Sequence, residues 1–135
     1  MTDLTMLVSK LNGYETKTGA TLFAELLHDT GTIKVTSTEN EDSIIFLLAT
    51  DEQIITVTPL FKLSDIPEAK HPKLFRELLT LSPVIPLSSL AIQEEGVILF
   101  GSMSVNTILE NSVDELDTQI DNYSEVLVAF ADYFE

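Results

Sequence analysis

The clearest pattern in the sequence is a long apolar stripe near its C-terminal end. The apolar positions recur at alternating steps of four and three: Leu109, Val113, Leu116, Ile120, Tyr123, Leu127, Phe130 and Phe134. This spacing predicts a long amphipathic helix that packs its stripe against the rest of the protein. Asn106 or Thr107 can cap the helix, and Glu110 in the first turn suits the helix dipole. The opposite side of the helix is acidic: Asp114, Asp117, Asp121 and Glu125.

Apolar spacing predicts a second, shorter helix at the N-terminal end. It runs from Asp3 to Leu11 and is followed by Asn12-Gly13, a pair that commonly ends helices. Residues 20–28 are ambiguous, because their apolar residues have helical spacing but the run also suits a buried strand. We favour a helix there and keep a strand as the alternative. The apolar residues concerned are Leu22, Phe23, Leu26 and Leu27.

Three strands are predicted in the middle of the chain, at Thr32–Ser37, Ser43–Ala49 and Gln53–Thr58. The polar breaks between them are short, which favours an antiparallel meander over crossover connections. Pro59 is expected to end the third strand.

A further helix and two strands follow. The helix is predicted from Pro72 to Thr80, with proline in its first turn. Ser82 to Pro86 is expected to be a rigid, extended connector. The strands Leu87–Gln93 and Val97–Met103 are joined by a turn. Residues 1–135 are thus predicted to form one α+β domain with a mainly antiparallel five-stranded sheet and helices packed on it, in the order α-(α)-β-β-β-α-β-β-α.

The net charge of the chain narrows the classes of partner that the protein is expected to bind. The net charge is −15, and all seven basic residues lie at or before Arg76. Phosphate backbones and anionic membrane surfaces are held by Lys and Arg, so nucleic acid and membrane surfaces are disfavoured as partners. The acidity favours solubility as its main role, with a basic protein partner as the alternative. The chain has no Cys and shows neither an apolar run of membrane-spanning length nor a secretory signal, which favours the cytoplasm.

Catalytic signatures are sparse. The two histidines are His28, after an apolar run, and His71, which is expected to be exposed. No Gly-x-Ser-x-Gly elbow or phosphate-binding glycine loop occurs, so a small hydrolase is only the third-ranked function. We expect no cofactor and no metal, because a helix face spreads its carboxylates outward. Gly101 lies inside a predicted strand, where glycine marks a bulge, the favoured interpretation, or the close approach of another group.

Several short motifs in order resemble the YjfI-like family of uncharacterised bacterial proteins. They are Asp51–Ile55, Leu74–Leu79, Pro86–Ser89, Leu99–Ser104, Asp114–Leu116 and Asp121-Asn122. Ser102-Met103 stands where Ala-Leu is common in that family. The resemblance implies no catalytic residue. It implies an accessory role beside PspA-type membrane-stress proteins, with a PspA-like protein as the partner.

The predicted order of elements also resembles class I type III secretion chaperones, which are small, acidic dimers that bind extended protein segments. Fold order alone does not fix function. The leading hypothesis is a non-catalytic, cytoplasmic, chaperone-like module that binds a protein and can form a homodimer. The alternative is a structural or regulatory subunit whose acidic helix docks on a basic partner. The candidate partner-binding residues are Pro86, Ser88, Ser89, Phe100, Gly101, Ser102, Ser104, Asp114, Asp117 and Asp121.

Overall fold

A computed structural model describes residues 4–104, 106 and 109–134. It contains three α-helices and six strands, with short 3₁₀ turns between some of them. The helices are α1 (Leu4–Leu11), α2 (His71–Leu81) and α3 (Leu109–Ala129). The strands are β1 (Leu22–Leu27), β2 (Thr32–Ser37), β3 (Asn40–Ala49), β4 (Gln53–Lys62), β5 (Ser89–Gln93) and β6 (Gly96–Ser104).

The six strands form one antiparallel sheet in the order β1-β2-β3-β4-β6-β5. The first four strands are a meander, and the short polar connections predicted its last three strands, β2, β3 and β4. The hairpin of β5 and β6 then adds to the meander through β6, which pairs with β4. The α+β class and the antiparallel sheet are therefore confirmed, whereas the predicted number of five strands is wrong.

The sixth strand comes from residues 20–28, for which the helix interpretation is wrong. Leu22, Ala24 and Leu26 alternate towards the core, and β1 pairs with β2 along its whole length, from Leu22 opposite Ser37 to Leu27 opposite Thr32. Leu22 and Leu26 are four residues apart, a spacing that fits a helix and a strand equally well. The strand forms because the edge of β2 offers hydrogen-bonding partners to these residues. The spacing of apolar residues in the sequence does not show which segments will pair.

Two proline-based expectations also fail. Pro59 does not end β4, which continues to Lys62, because the register shifts between Pro59 and Phe61 and an irregularity of this kind accommodates proline inside a strand. The connector expected to be extended begins with a 3₁₀ turn at Ser82–Val84. The Ser82 hydroxyl accepts a hydrogen bond of 2.8 Å from the Leu90 backbone N–H and ties this turn to β5.

All three helices pack on the same face of the sheet, which we call the inner face. One core cluster joins α1 and the first half of α3 to the meander, through residues such as Leu11, Ile45 and Leu116. The other joins α2 and the end of α3 to β5 and β6, through residues such as Leu78 and Leu99. We call the opposite side of the sheet the outer face.

The apolar stripe of α3 is confirmed in its first half and corrected in its second. Val113, Leu116 and Ile120 are buried as predicted. Near the end of the helix Val126 is buried instead of its neighbour Leu127, which is only half-buried. The α-helix ends at Ala129, and Ala131–Phe134 is a 3₁₀ turn. The prediction that Thr107 caps α3 falls outside the described residues. The same is true of the predicted packing of the Leu109 side chain and of the part of the first predicted helix that precedes Leu4.

Candidate functional site

A groove of about 440 Å³ lies at the β5 edge of the sheet, and several of the predicted binding residues line it. Four serine residues and one carboxylate contribute polar groups, and the remaining walls are largely apolar. The residues that line it are Ser82, Pro83, Ile85, Leu87, Ser88, Ser89, Phe100, Gly101, Ser102 and Glu115. The structure thus brings together Ser88, Ser89, Phe100, Gly101 and Ser102 from two segments of the sequence.

The groove lies where β6 extends beyond its neighbour. On one side β6 pairs with β4 as far as Ser104, opposite Gln53. On the other side its last registered residue is Phe100, opposite Ser89. Within the described part of the chain, therefore, no strand pairs with Ser102–Ser104 on the β5 side of β6. A strand edge of this kind presents unpaired backbone N–H and C=O groups that can pair with another chain.

The wall beside this edge is a turn whose backbone is held in an unusual conformation. Leu87 has a φ of 61°, in the left-handed region that a branched side chain seldom occupies. Asn122 of α3 fixes this turn, because its Nδ2 donates to the Pro86 carbonyl at 2.8 Å and to the Ser88 hydroxyl at 3.3 Å. The Leu87 side chain is 61% exposed and stands at the rim of the groove.

Gly101 allows this turn to approach the sheet. The register of β4 and β6 is continuous at Thr56 opposite Gly101, so the favoured prediction of a bulge there is wrong. The alternative, a close approach, is what the structure shows. A Cβ atom at Gly101 would lie 2.9 Å from the Leu87 carbonyl oxygen and 3.1 Å from the Thr56 Oγ1.

A buried hydrogen-bond network lies beneath the same point. The Thr56 hydroxyl donates to the Gln119 Oε1 at 2.6 Å, and the Gln119 Nε2 donates to the Thr58 hydroxyl at 2.9 Å. Gln119 and Asn122 lie one turn apart on α3, and both are buried. Their bonds fix the position of α3 over β4 and of the turn over β6, because a buried amide that loses its partner costs about 1–3 kcal/mol.

Two predicted residues stand beside the groove without lining it. Pro86 contributes its carbonyl to Asn122. Ser104 lies on the open part of the β6 edge, where its hydroxyl accepts a hydrogen bond from the Asn106 backbone N–H at 3.1 Å. Five groove residues are not among the candidates predicted from the sequence: Ser82, Pro83, Ile85, Leu87 and Glu115. Glu115 resembles any other acid of α3, and burial raises its pKa above the ordinary value.

The predicted acidic face of α3 is a separate region. Lys17 Nζ lies 3.2 Å from Asp114 Oδ2, and the Thr18 hydroxyl donates to Asp117 Oδ2 at 3.4 Å. Asp114 and Asp117 therefore contact the loop that precedes β1 and do not line the groove. Asp121 is exposed, and it lies near Glu39 in the turn between β2 and β3.

This cluster of carboxylates makes stability depend on pH. The nearby Asp121, partial burial and Asp117 together raise the pKa of Glu39 from 4.5 to about 7. Between these pH values the folded state binds more protons than the unfolded state, so this contribution to stability is lost as the pH rises. We expect Glu39→Gln to increase the free energy of unfolding at about pH 8 by no more than about 1 kcal/mol, since solvent screens an exposed carboxylate.

Urea denaturation of wild type and Glu39→Gln between about pH 5 and pH 8 measures this effect. The Gln variant should lose the fall in stability across this range. Glu41→Gln, in the neighbouring exposed part of β3, controls for the removal of one negative charge. Equal effects of the two substitutions would show that net charge, and not the cluster, is responsible.

Neither histidine lines the groove. No group of three or more His, Cys, Asp or Glu side chains in residues 4–104, 106 and 109–134 is arranged to hold a metal ion. His28 is exposed in the turn after β1. His71 is half-buried, contrary to prediction, and its Nε2 lies 3.0 Å from the carbonyl oxygens of Leu63 and Ile66.

Comparison with known proteins gives a family without an assigned activity. A family model described as an uncharacterised protein conserved in bacteria, DUF2170, matches residues 1–134. The search of curated proteins found no match. In the part of the chain that the structure describes, no helix is both long and apolar enough to cross a membrane.

Proposed function

Since the chain belongs to the DUF2170 family of uncharacterised bacterial proteins, we propose its function from the geometry of the groove. We infer that it is a non-catalytic protein-binding module that takes an extended, basic segment of a partner protein into the groove beside β6. This proposal keeps the chaperone-like interpretation of the sequence and restricts the candidate binding site to the residues at the edge of the sheet, without the acidic helix face.

The observation that carries the proposal is the open edge of β6 next to the groove. Ser102–Ser104 extend past the last registered residue of β5, and Ser102 also lines the groove. An extended peptide can add itself to such an edge as a short strand, with main-chain hydrogen bonds supplying affinity and side-chain pockets supplying specificity. Ile85 and Leu87 supply apolar walls for alternate side chains of the peptide.

The charge of the groove favours a basic segment. Glu115 contributes a half-buried carboxylate, and its raised pKa shows that its surroundings penalise the charged form. The described ion pairs are Lys17 with Asp114 and Lys73 with Glu77, and neither involves Glu115. A Lys or Arg side chain of the partner would favour the charged form of this carboxylate and so offset the cost of its burial. No Lys or Arg of the chain itself follows Arg76.

The competing proposal, docking of the acidic helix face on a basic partner, has weaker support. Asp114 and Asp117 already contact Lys17 and Thr18, and these contacts occupy part of that face. The sequence resemblance makes a PspA-like protein the first partner to test in the cytoplasm, and an extended segment of such a protein is what the groove would hold.

A binding experiment with defined peptides tests the proposal. Fluorescence anisotropy would follow a labelled octapeptide of alternating Val and Lys, with alternating Val and Glu as the opposite-charge control. We expect the Lys peptide to bind and Glu115→Gln to weaken it about 10-fold, because the groove loses its carboxylate. Glu110→Gln removes the same charge from an exposed position on α3 outside the groove, and it should change the affinity less than about twofold.

N-methylation of alternate peptide nitrogens separates strand addition from simple charge attraction, because it removes backbone donors and keeps the charge. One peptide carries the methyl groups on its odd-numbered nitrogens and a second carries them on its even-numbered nitrogens. At least one of these two peptides should no longer bind. Equal loss of affinity in Glu115→Gln and Glu110→Gln, together with unchanged binding of both methylated peptides, would reject the proposal.

A further inference from the structure

The outer face of the sheet is an extended apolar surface. Strand alternation turns the side chains of Phe23, Phe46, Leu48, Ile55, Val57 and Phe100 away from the inner face. The register places Phe46 opposite Val57, Val57 opposite Phe100, and Leu48 opposite Ile55, so these side chains are contiguous across β3, β4 and β6. An apolar surface of this extent commonly marks an interaction site.

The helices do not account for this surface. None of its six residues belongs to either core cluster, and the described helices pack into those clusters on the inner face. Phe23 is 49% exposed and Leu48 is 40% exposed, while the other four are partly shielded. Burial of these side chains in a complex would remove apolar surface from water, which favours association.

The outer face is also poor in charge, unlike most of this chain. Among the acidic residues of the six strands, only Glu25 and Asp42 alternate onto it, and Glu25 lies directly opposite Lys34 on β2. Two copies that each carry a net charge of −15 repel one another over most approaches. The outer face is where they can meet with few carboxylates between them, and a basic partner would find few carboxylates to bind there.

The size of the face matches the needs of a dimer. Six strands that each occupy a width of about 4.8 Å cover about 29 Å, and strands of these lengths at about 3.3 Å per residue give a footprint of roughly 700 Å². A standard stable interface buries about 800 Å² on each partner. We propose that a second copy of this chain covers the outer face, with the two sheets packed face to face about a two-fold axis.

Sedimentation equilibrium of the full chain, from micromolar to millimolar concentration, tests this proposal. Wild type should sediment at twice the monomer mass. Val57→Glu should raise the dimer dissociation constant by about 100-fold or more, because it places two unpaired carboxylates inside the interface. Val128→Glu is the matched control, since Val128 is 77% exposed on α3, away from the outer face, and this variant should remain dimeric.

Two further measurements keep the result interpretable. Leu48→Lys should also dissociate the dimer, and the partial exposure of Leu48 makes the variant less disruptive to folding, which circular dichroism would verify for both variants. Added salt should strengthen the wild-type dimer, because it screens the repulsion between acidic copies.

A wild-type monomer at every concentration, or folded Val57→Glu and Leu48→Lys variants that remain dimers, would overturn the proposal. Val57 does not line the groove, so Val57→Glu should still bind the Lys peptide, and the two proposals can fail separately.

Discussion

Phe130→Ala will lower the free energy of unfolding by about 3–5 kcal/mol, a large share of the stability of a domain this size. Phe130 is 2% exposed and belongs to the core cluster that joins α2, α3 and the β5–β6 hairpin. Its ring centroid lies 5.8 Å from that of Tyr133 and 6.3 Å from that of Phe61. Removal of the ring leaves a cavity among these partners, because helix and sheet can close it only in part.

Phe134→Ala is the matched control for this variant. The sequence places Phe130 and Phe134 in the same stripe, but Phe134 is 44% exposed and its main aromatic contact is an edge-to-face pair with Phe61 at 5.1 Å. Its loss should cost about 1 kcal/mol. Urea denaturation compares the two variants directly. A larger effect at Phe134 than at Phe130 would contradict the position of the 3₁₀ turn after Ala129.

Gly101→Ala will lower the free energy of unfolding by about 1–3 kcal/mol, although it adds only one methyl group. The new Cβ would lie 2.9 Å from the Leu87 carbonyl oxygen, a backbone atom in a turn that Asn122 holds in place. It would also crowd the Thr56 hydroxyl, which belongs to the Gln119 network. Because none of these atoms is the free end of a flexible side chain, the turn itself must shift.

Gly96→Ala, in the same strand, provides the comparison. A Cβ at Gly96 would make only ordinary contacts, at 3.7 Å and 3.8 Å, and this glycine does not have a positive φ. The substitution should be neutral or stabilise by up to about 1 kcal/mol, since alanine restricts the unfolded chain. Denaturation curves for the two variants test the close approach at Gly101. A neutral Gly101→Ala would show that the turn beside the groove is not packed as described.

The sequence pattern correctly predicted those elements whose apolar spacing fits only a helix or only a strand. The alternating residues of β2 and the four-and-three steps in the first half of α3 are of this kind. Leu22 and Leu26 suit two periods, and the partner strand decides between them. Val126 replaces Leu127 in the core because α2 and the β5–β6 hairpin approach the end of α3 from one side, and the helix sequence alone does not contain the direction of that approach.

The groove was predictable in part. The Pro-Leu-Ser-Ser and Phe-Gly motifs supplied Ser88, Ser89, Phe100 and Gly101, and the structure places them together. Glu115 could not be singled out, since only the fold shows which acid of α3 stands beside the groove. Gln119 and Asn122 left a usable signal, because uncharged polar residues beside an apolar stripe on a helix indicate buried hydrogen bonds.

Amide chemical-shift mapping of the ¹⁵N-labelled protein, titrated with the alternating Val-Lys peptide, tests the proposed binding site most directly. We expect the largest changes at Ser88, Ser89 and the β6 residues Phe100–Ser104, and these changes should saturate with the affinity measured by anisotropy. Changes confined to the acidic positions Asp114, Asp117 and Asp121, or no saturable change at all, would contradict this expectation.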